Sequence, residues 1–346
     1  MKLKNIRSIF YLFAAMVVSS VVIGSYCKTR FVPVDSVSTA TSPVTTLAQT
    51  SLSKYAPVDV AMDPVQLSEH TWYVQGKAGI ATDNAGFISN AGFVITDAGV
   101  VVFDALGTPS LAAKLVRKIK EITDQPIVKV IVSHYHADHI YGLQVFKELG
   151  AEIIAPEGVY EYIDSAAASS RLEERQFSLE PWVNENTLVV IPDRIIDESE
   201  SFTLGKIKFT INVIGNAHSD GDMTLYVEND RVLFTGDLIF EGRVPFLGSN
   251  NTKHWLETLE KMEAQKPHAI VPGHGPWAKD PKAIALTRKY LAFLREKMGE
   301  GVEEMLDFDE VYDAIDWSEY KKLPAFEETN RKNAFQVYLS MEAEGS

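Results

Sequence analysis

Between positions 134 and 139 the chain reads His134-Tyr135-His136-Ala137-Asp138-His139. Four side chains able to ligate a metal fall within six positions, which packing alone does not explain. Imidazole and carboxylate donors together suit zinc and its borderline neighbours. In an extended segment side chains alternate, so His134 and His136 face one way. Asp138 and His139 follow on a sharper turn and can face a second ion. The stretch comes directly after an apolar run, Val128-Lys129-Val130-Ile131-Val132-Ser133, so a strand delivers it.

An apolar strand runs into a metal-capable residue three more times. Phe209 to Ile214 leads to His218, within Gly215-Asn216-Ala217-His218-Ser219. Val232-Leu233-Phe234-Thr235-Gly236 leads to Asp237, and Ala269-Ile270-Val271-Pro272-Gly273 leads to His274, followed by Gly275. Strand ends converging on one edge are where sites form in such folds. The glycines beside Asp237 and His274 let the backbone turn close to a ligand. This frame claims five of the eight histidines. His70, His254 and His268 lie outside it and read as surface or core residues.

The elements that must position these residues alternate in type. Strands are expected at 70–76, 90–95, 100–103, 127–132, 152–155, 187–191, 201–204, 206–214, 222–228, 231–235 and 268–271. Thr108-Pro109 is a helix cap with a first-turn proline, ahead of Leu111, Leu115, Ile119 and Ile122 at helical spacing. A helix marked by Ile140, Leu143, Phe146 and Leu149 closes at Gly150. Residues 156–180 read as polar helix, and further helices are expected at 252–264, 281–298 and about 327–341. Many short strands, some hairpin-paired and others joined by helices, predict two sheets with helices packed outside. The glycine-dotted stretch 76–90 reads as a flap beside the site.

Composition bounds the function. The 346 residues are ordinary globular material, 46% hydrophobic and 23% charged. A formal net charge of −14 argues against a nucleic-acid partner, which needs a basic track. Cys27 is the sole cysteine, so no intramolecular disulfide forms and no thiolate ligates metal in the folded domain. Lys2, Lys4 and Arg7 precede an uncharged run, Ser8 to Cys27. That pattern reads as an export signal or a membrane anchor, with the bulk of the chain facing outward. Tyr26 is too bulky for the residue before a lipid-modified cysteine. The expected organisation is a signal peptide or anchor at 1–27, a flexible Ser/Thr-rich linker at 28–62, the main folded domain at 63–300 and a helical extension packed on it at 301–346. The protein is then exported, periplasmic or anchored to the membrane with its domain outside the cytoplasm. The N-terminal segment contacts the membrane at least during export.

The series His-x-His-x-Asp-His, lone His, Thr-Gly-Asp, Gly-His resembles the metallo-β-lactamase-fold hydrolases over roughly 65–300. The resemblance implies an α/β fold, an αββα sandwich of two mixed sheets with helices outside. It implies one metal held by His134, His136 and His218, a second held by Asp138, His139 and His274, and Asp237 bridging the pair. Asp104, at the end of an early strand, is expected to brace the metal loop by hydrogen bonds. True metallo-β-lactamases carry cysteine or serine where this chain has Asp237, so β-lactam cleavage is expected only as a weak activity. Tyr141-Gly142-Leu143-Gln144, the exported layout and Asn333-Ala334-Phe335-Gln336-Val337-Tyr338 look most like the quinoprotein-relay-system zinc hydrolases. A periplasmic quinoprotein dehydrogenase is then an expected partner.

The implied reaction is hydrolysis of an ester, thioester, lactone or related bond of a small molecule by a hydroxide shared between two divalent ions, most simply Zn2+. Asp138 is the catalytic residue, orienting the nucleophile and moving its proton. A helix starting near Ile140 is expected to point its N-terminus at the site. Competing readings are a mononuclear iron persulfide dioxygenase-like enzyme and a non-catalytic accessory protein of a dehydrogenase.

Overall fold

The computed structural model describes residues 52–163, 165–248, 251–279 and 282–345. The expected signal or anchor at 1–27 and most of the linker lie outside these residues. Among the described residues no helix is long and apolar enough to cross a membrane.

Two sheets form the centre. The first holds, in spatial and chain order, β1 (Val65–Gln66), β2 (Thr71–Val74), β3 (Ala91–Thr96), β4 (Gly99–Phe103), β5 (Ile127–Ile131), β6 (Glu152–Pro156) and β7 (Arg194–Ile196). It is antiparallel as far as β4 and parallel from there to β7. The second holds β8 (Glu200–Leu204), β9 (Ile207–Gly215), β10 (Asp222–Val227), β11 (Val232–Phe234) and β12 (Ala269–Val271), with only the β11–β12 pair parallel.

Strand β4 shows why the layers stack as they do. Val100 and Val102 pack outward with Leu111, Leu115 and Ile119 of α1 (Pro109–Ile122), while Val101 and Phe103 pack inward with Phe234 and Met223 of the second sheet. Both faces are buried, so the strand reads as a continuous apolar run. On the far side Leu233 and Ile270 meet Trp255 and Leu259 of α6 (Thr252–Ala264), and Ile284 and Leu291 of α7 (Lys282–Glu303). Two helix–sheet cores and one sheet–sheet core make the αββα sandwich expected from the sequence.

Between these come α2 (Ala137–Ile140), α3 (Leu143–Glu148), α4 (Val159–Ile163) and α5 (Ala166–Ser178); α8 (Phe308–Ala314) and α9 (Phe326–Gly345) end the chain. Thr108 caps α1 as expected, its hydroxyl accepting from Leu111 N at 3.0 Å.

Three expectations need correction. Residues 187–191 form no strand. Their polar groups are spent on side chains instead: Leu188 N donates to Gln144 Oε1 (2.8 Å) and Val190 O accepts from Tyr135 (2.6 Å), and the ladder is made one step later by β7. The helix predicted from Ile140 begins at Ala137 and is a four-residue turn, separate from α3. So short a segment sums few peptide dipoles, and the expected dipole contribution has no basis. The folded chain also begins before residue 63. Leu52, Val58 and Met62 are buried, and Lys114 Nζ donates to Val58 O (2.8 Å) and Val60 O (2.7 Å). The extension at 301–346 shares one apolar cluster with α7 through Val311, Tyr320, Phe326 and Val337.

Candidate metal centre

All seven predicted ligands meet at one edge of the sandwich. Strand β5 ends at Ile131, and the chain stays extended through His136, which has φ −116° and ψ 152°. His134 and His136 therefore face together, with His134 Nε2 at 3.0 Å from His136 Nδ1. Tyr135, between them, turns the other way into the core and donates to Val190 O. His218 Nε2 lies 3.1 Å from the same His136 Nδ1. Asp138 and His139 sit on the turn α2, where Asp138 Oδ2 is 3.2 Å from His274 Nε2 and 3.6 Å from His139 Nε2.

Asp237 stands between the two groups. Its Oδ1 is 3.1 Å from His139 Nε2, and its Oδ2 is 3.2 Å from His274 Nε2 and 3.6 Å from His218 Nε2. Three overlapping clusters result: His134, His136 and His218; His134, His139 and Asp237; and Asp138, His139 and His274. Within each, the ligand atoms lie no more than 4.8 Å apart, close enough for one ion to touch all of them.

The donor set fits a cation. His139 Nε2 and Asp237 Oδ1 are buried without a hydrogen bond although they face each other. Buried polar atoms are rarely left so, and a bound ion would satisfy both. Burial holds His134 and His136 below the usual imidazole range and His218 down to about 3, which favours the neutral imidazole that metal ligation requires. The other group is shifted the opposite way. Burial opposes charge on His139 and His274, but the neighbouring carboxylates, Asp237 foremost, outweigh it and raise both. Burial likewise pushes Asp138 and Asp237 up, and the imidazoles beside them bring both well below the usual carboxylate range.

Asp104 braces the loop as the sequence suggested. It is 1% exposed and holds φ +64°, a conformation unfavourable for a non-glycine residue. Its Oδ1 accepts from Ser133 N (2.7 Å) and its Oδ2 from Ser133 Oγ (2.9 Å). Oδ2 is also 2.9 Å from His139 Nδ1, which donates to it and leaves Nε2 for the cluster. Backbone geometry is as exacting: a Cβ on Gly273 would lie 2.0 Å from Asp237 Oδ1.

Other supports were missed in the sequence. Asn90, 2% exposed, donates to Pro272 O (2.7 Å) and Gly275 O (2.8 Å) and so brackets His274. Asp222 accepts from the backbone of Ala217 (3.2 Å), His218 (2.7 Å) and Ser219 (2.9 Å), fixing the turn that presents His218. Neither residue belongs to a contiguous motif; the one available signal was an acid four residues after His218. His70, His254 and His268 stay away from the site, as expected: His70 faces Asp230, His254 Nδ1 is 2.8 Å from Asn216 O, and His268 is exposed.

A cavity of about 630 Å³ opens onto these ligands, lined by His136, Asp138, Asp237 and His274. Two adjacent apolar residues beside it divide: Phe246 is 38% exposed and lines the cavity, while Leu247 is core. Residues Gly79 to Thr82 and Ile88, from the expected flap, form part of the rim.

Residues 84–274 match the family model described as the metallo-beta-lactamase superfamily. The chain belongs to the metallo-β-lactamase superfamily. It is 24% identical over 216 residues to a type 2 metallo-β-lactamase of Elizabethkingia meningoseptica, covering 61% of this chain and 78% of that one. It is 26% identical over 154 residues to an acyl-coenzyme A thioesterase of Gallus gallus, covering 42% and 55%. Among solved structures, the stereoselective inverting sec-alkylsulfatase Pisa1 from Pseudomonas sp. shares the fold with a TM-score of 0.60 at 19% identity, over 81% of this chain and 50% of that one. The superfamily thus includes enzymes that cleave quite different bonds.

Proposed function

We propose that this superfamily member is a binuclear zinc-dependent hydrolase acting on an ester, thioester or lactone bond of a small molecule, exported to or anchored at the outer face of a membrane. The observation that carries the metal assignment is Asp237, with one oxygen toward His139 and the other toward His274 and His218. In this reading His134, His136 and His218 would hold one ion and Asp138, His139 and His274 the other, with Asp237, which faces both groups, as a shared ligand. Bound there, two such ions supply Lewis acidity and lower the pKa of water toward about 7.

The remaining work falls to side chains. Asp138, ionised and 20% exposed toward the cavity, orients the attacking water and takes its proton. Asp104 and Ser133 fix the imidazoles so that only lone pairs face the centre. Phe240, stacked on His274 at 5.0 Å between ring centroids, helps keep bulk water from that side.

The test is metal analysis of the purified full-length chain, then a substrate panel of esters, thioesters, lactones and β-lactams. Two zinc ions per chain and turnover of one class are expected. Full hydrolysis and full metal content in His134→Ala and Asp138→Ala would sink the assignment. One iron per chain with oxygen uptake would replace it with the dioxygenase reading.

A further inference from the structure

We infer that the loop 241–248 is the substrate-reading wall of this site, that its Arg243 receives an acidic group on the substrate, and that Asn333 of α9 positions it. The inference rests on the hydrolase reading and specifies its substrate class.

Arg243 is 8% exposed and lines the cavity. A guanidinium carries five N–H donors in a planar fork and has no acceptor. Here Nε reaches only Val244 O, at 3.4 Å. Nη1 lies 3.5 Å from His274 Nδ1, but that nitrogen is 2.8 Å from Ile88 O. A carbonyl accepts only, so His274 Nδ1 carries a hydrogen and cannot accept from Arg243. Among the described residues Arg243 forms no salt bridge: the nearby acids Asp138 and Asp237 are turned to His139 and His274, and Glu328, exposed on the cavity wall, makes no ion pair with it. A buried guanidinium with so little to bind is costly unless something else completes it. A carboxylate or sulfate on the substrate matches its fork. Phe246 stands on the same loop, its ring 6.4 Å from that of His136, and offers an apolar surface. The wall therefore fits a small substrate with an acidic group and an apolar body beside the hydrolysed bond.

The loop needs external support because residues 241–248 belong to no helix or strand. Asn333, fully buried, provides it. Its Oδ1 accepts from Leu247 N (2.9 Å) and its Nδ2 donates to Pro245 O (2.7 Å), gripping the peptides on either side of Phe246. Nδ2 also donates to Tyr290 Oη (3.0 Å), whose hydroxyl donates to Asn330 Oδ1 (2.8 Å). Nearer Arg243, Val244 N donates to Pro324 O at 3.1 Å. A side chain that is both donor and acceptor on one planar group is what this double grip requires.

The experiment uses the full-length zinc-loaded protein and two ester probes, 4-nitrophenyl glutarate with a free carboxylate and neutral 4-nitrophenyl butyrate, with calorimetric titration of glutarate. Wild type is expected to prefer the acidic ester at least ten-fold in kcat/KM. Arg243→Gln should erase that preference and weaken glutarate at least ten-fold with zinc content unchanged; Arg243→Lys, keeping charge without the fork, should fall between. Asn333→Ala should raise KM for the acidic ester about ten-fold while kcat moves far less, a split that general destabilisation does not produce. No preference in wild type, equal loss on both esters in Arg243→Gln, or unaltered glutarate binding would overturn the inference. If wild type turns over neither these esters nor any thioester, lactone or β-lactam of the panel, the hydrolase reading is what fails, and the glutarate titration still decides the role of Arg243.

Discussion

Asp230 and Asp237 flank strand β11 at opposite ends of the sandwich, and both are carboxylates beside histidine. Asp230 is satisfied. It accepts from Ser68 Oγ (2.5 Å), Thr71 Oγ1 (2.6 Å), His70 N (3.1 Å) and His70 Nδ1 (3.0 Å), tying the second sheet to the start of β2. Asp237 faces three imidazoles and leaves Oδ1 without a hydrogen bond. An acid whose bonds are complete is holding structure together. An acid surrounded by histidines that cannot complete it is waiting for a cation. The same residue type thus does different work according to what its neighbours leave undone.

The largest effect should come from Asp237. Replacing it with Asn removes the charge between the clusters, and hydrolysis should fall at least about a hundred-fold with metal content reduced. Metal-to-protein ratio and turnover measured together check this; a variant with full metal would put Asp237 in the same class as Asp230. Gly273→Ala should act through the same group, since the added methyl displaces Asp237 Oδ1, and loss of metal should exceed any loss of helix content by circular dichroism. Asp104→Asn keeps the shape of the brace but weakens its hold on His139 Nδ1, for an expected loss of about 10–100-fold in metal affinity by competition with a chelator.

Asp230→Asn is the smallest and the contrasting case. Turnover and metal content should stay near wild type, with stability reduced by about 1–3 kcal/mol at pH 7 in denaturant melts. Burial pushes the Asp230 carboxyl up, but the Ser68, Thr71 and His70 bonds outweigh it and leave it lowered. A carboxyl lowered on folding stabilises above its unfolded pKa, near 4, and that stability is lost as pH falls through the folded value. The gap between wild type and variant should therefore close below about pH 4; a gap that persists in acid would mean the bonds do not depend on charge.

The sequence revealed the ligands because each follows an apolar strand, and strand ends in this architecture share an edge. Asp104 came from the family resemblance, which places an aspartate at the end of an early strand. The sequence did not reveal Asn90, Asp222 or Asn333, whose bonds reach loops brought near only by the tertiary fold. Residues 187–191 misled because Thr187-Leu188-Val189-Val190-Ile191 has strand composition while Gln144 and Tyr135 take its polar groups. Leu247 and Phe246 are indistinguishable by hydropathy, and Asn333, gripping the peptides on either side of Phe246, holds the loop in which Phe246 lines the cavity and Leu247 is core.

The split of the ligands, four from one short loop and three from separate later strands, also has a bearing on assembly. A chain emerging from its N-terminus displays His134 to His139 long before His274 exists. Four ligands in six residues can catch an ion early but loosely, since no neighbouring strand yet fixes their directions. Tight retention waits until β12 has paired with β11 and delivered the last histidine. On the proposed metal assignment, retention would report finished folding, and a chain stalled or cut before residue 274 would surrender its ion to a competitor that the completed protein resists.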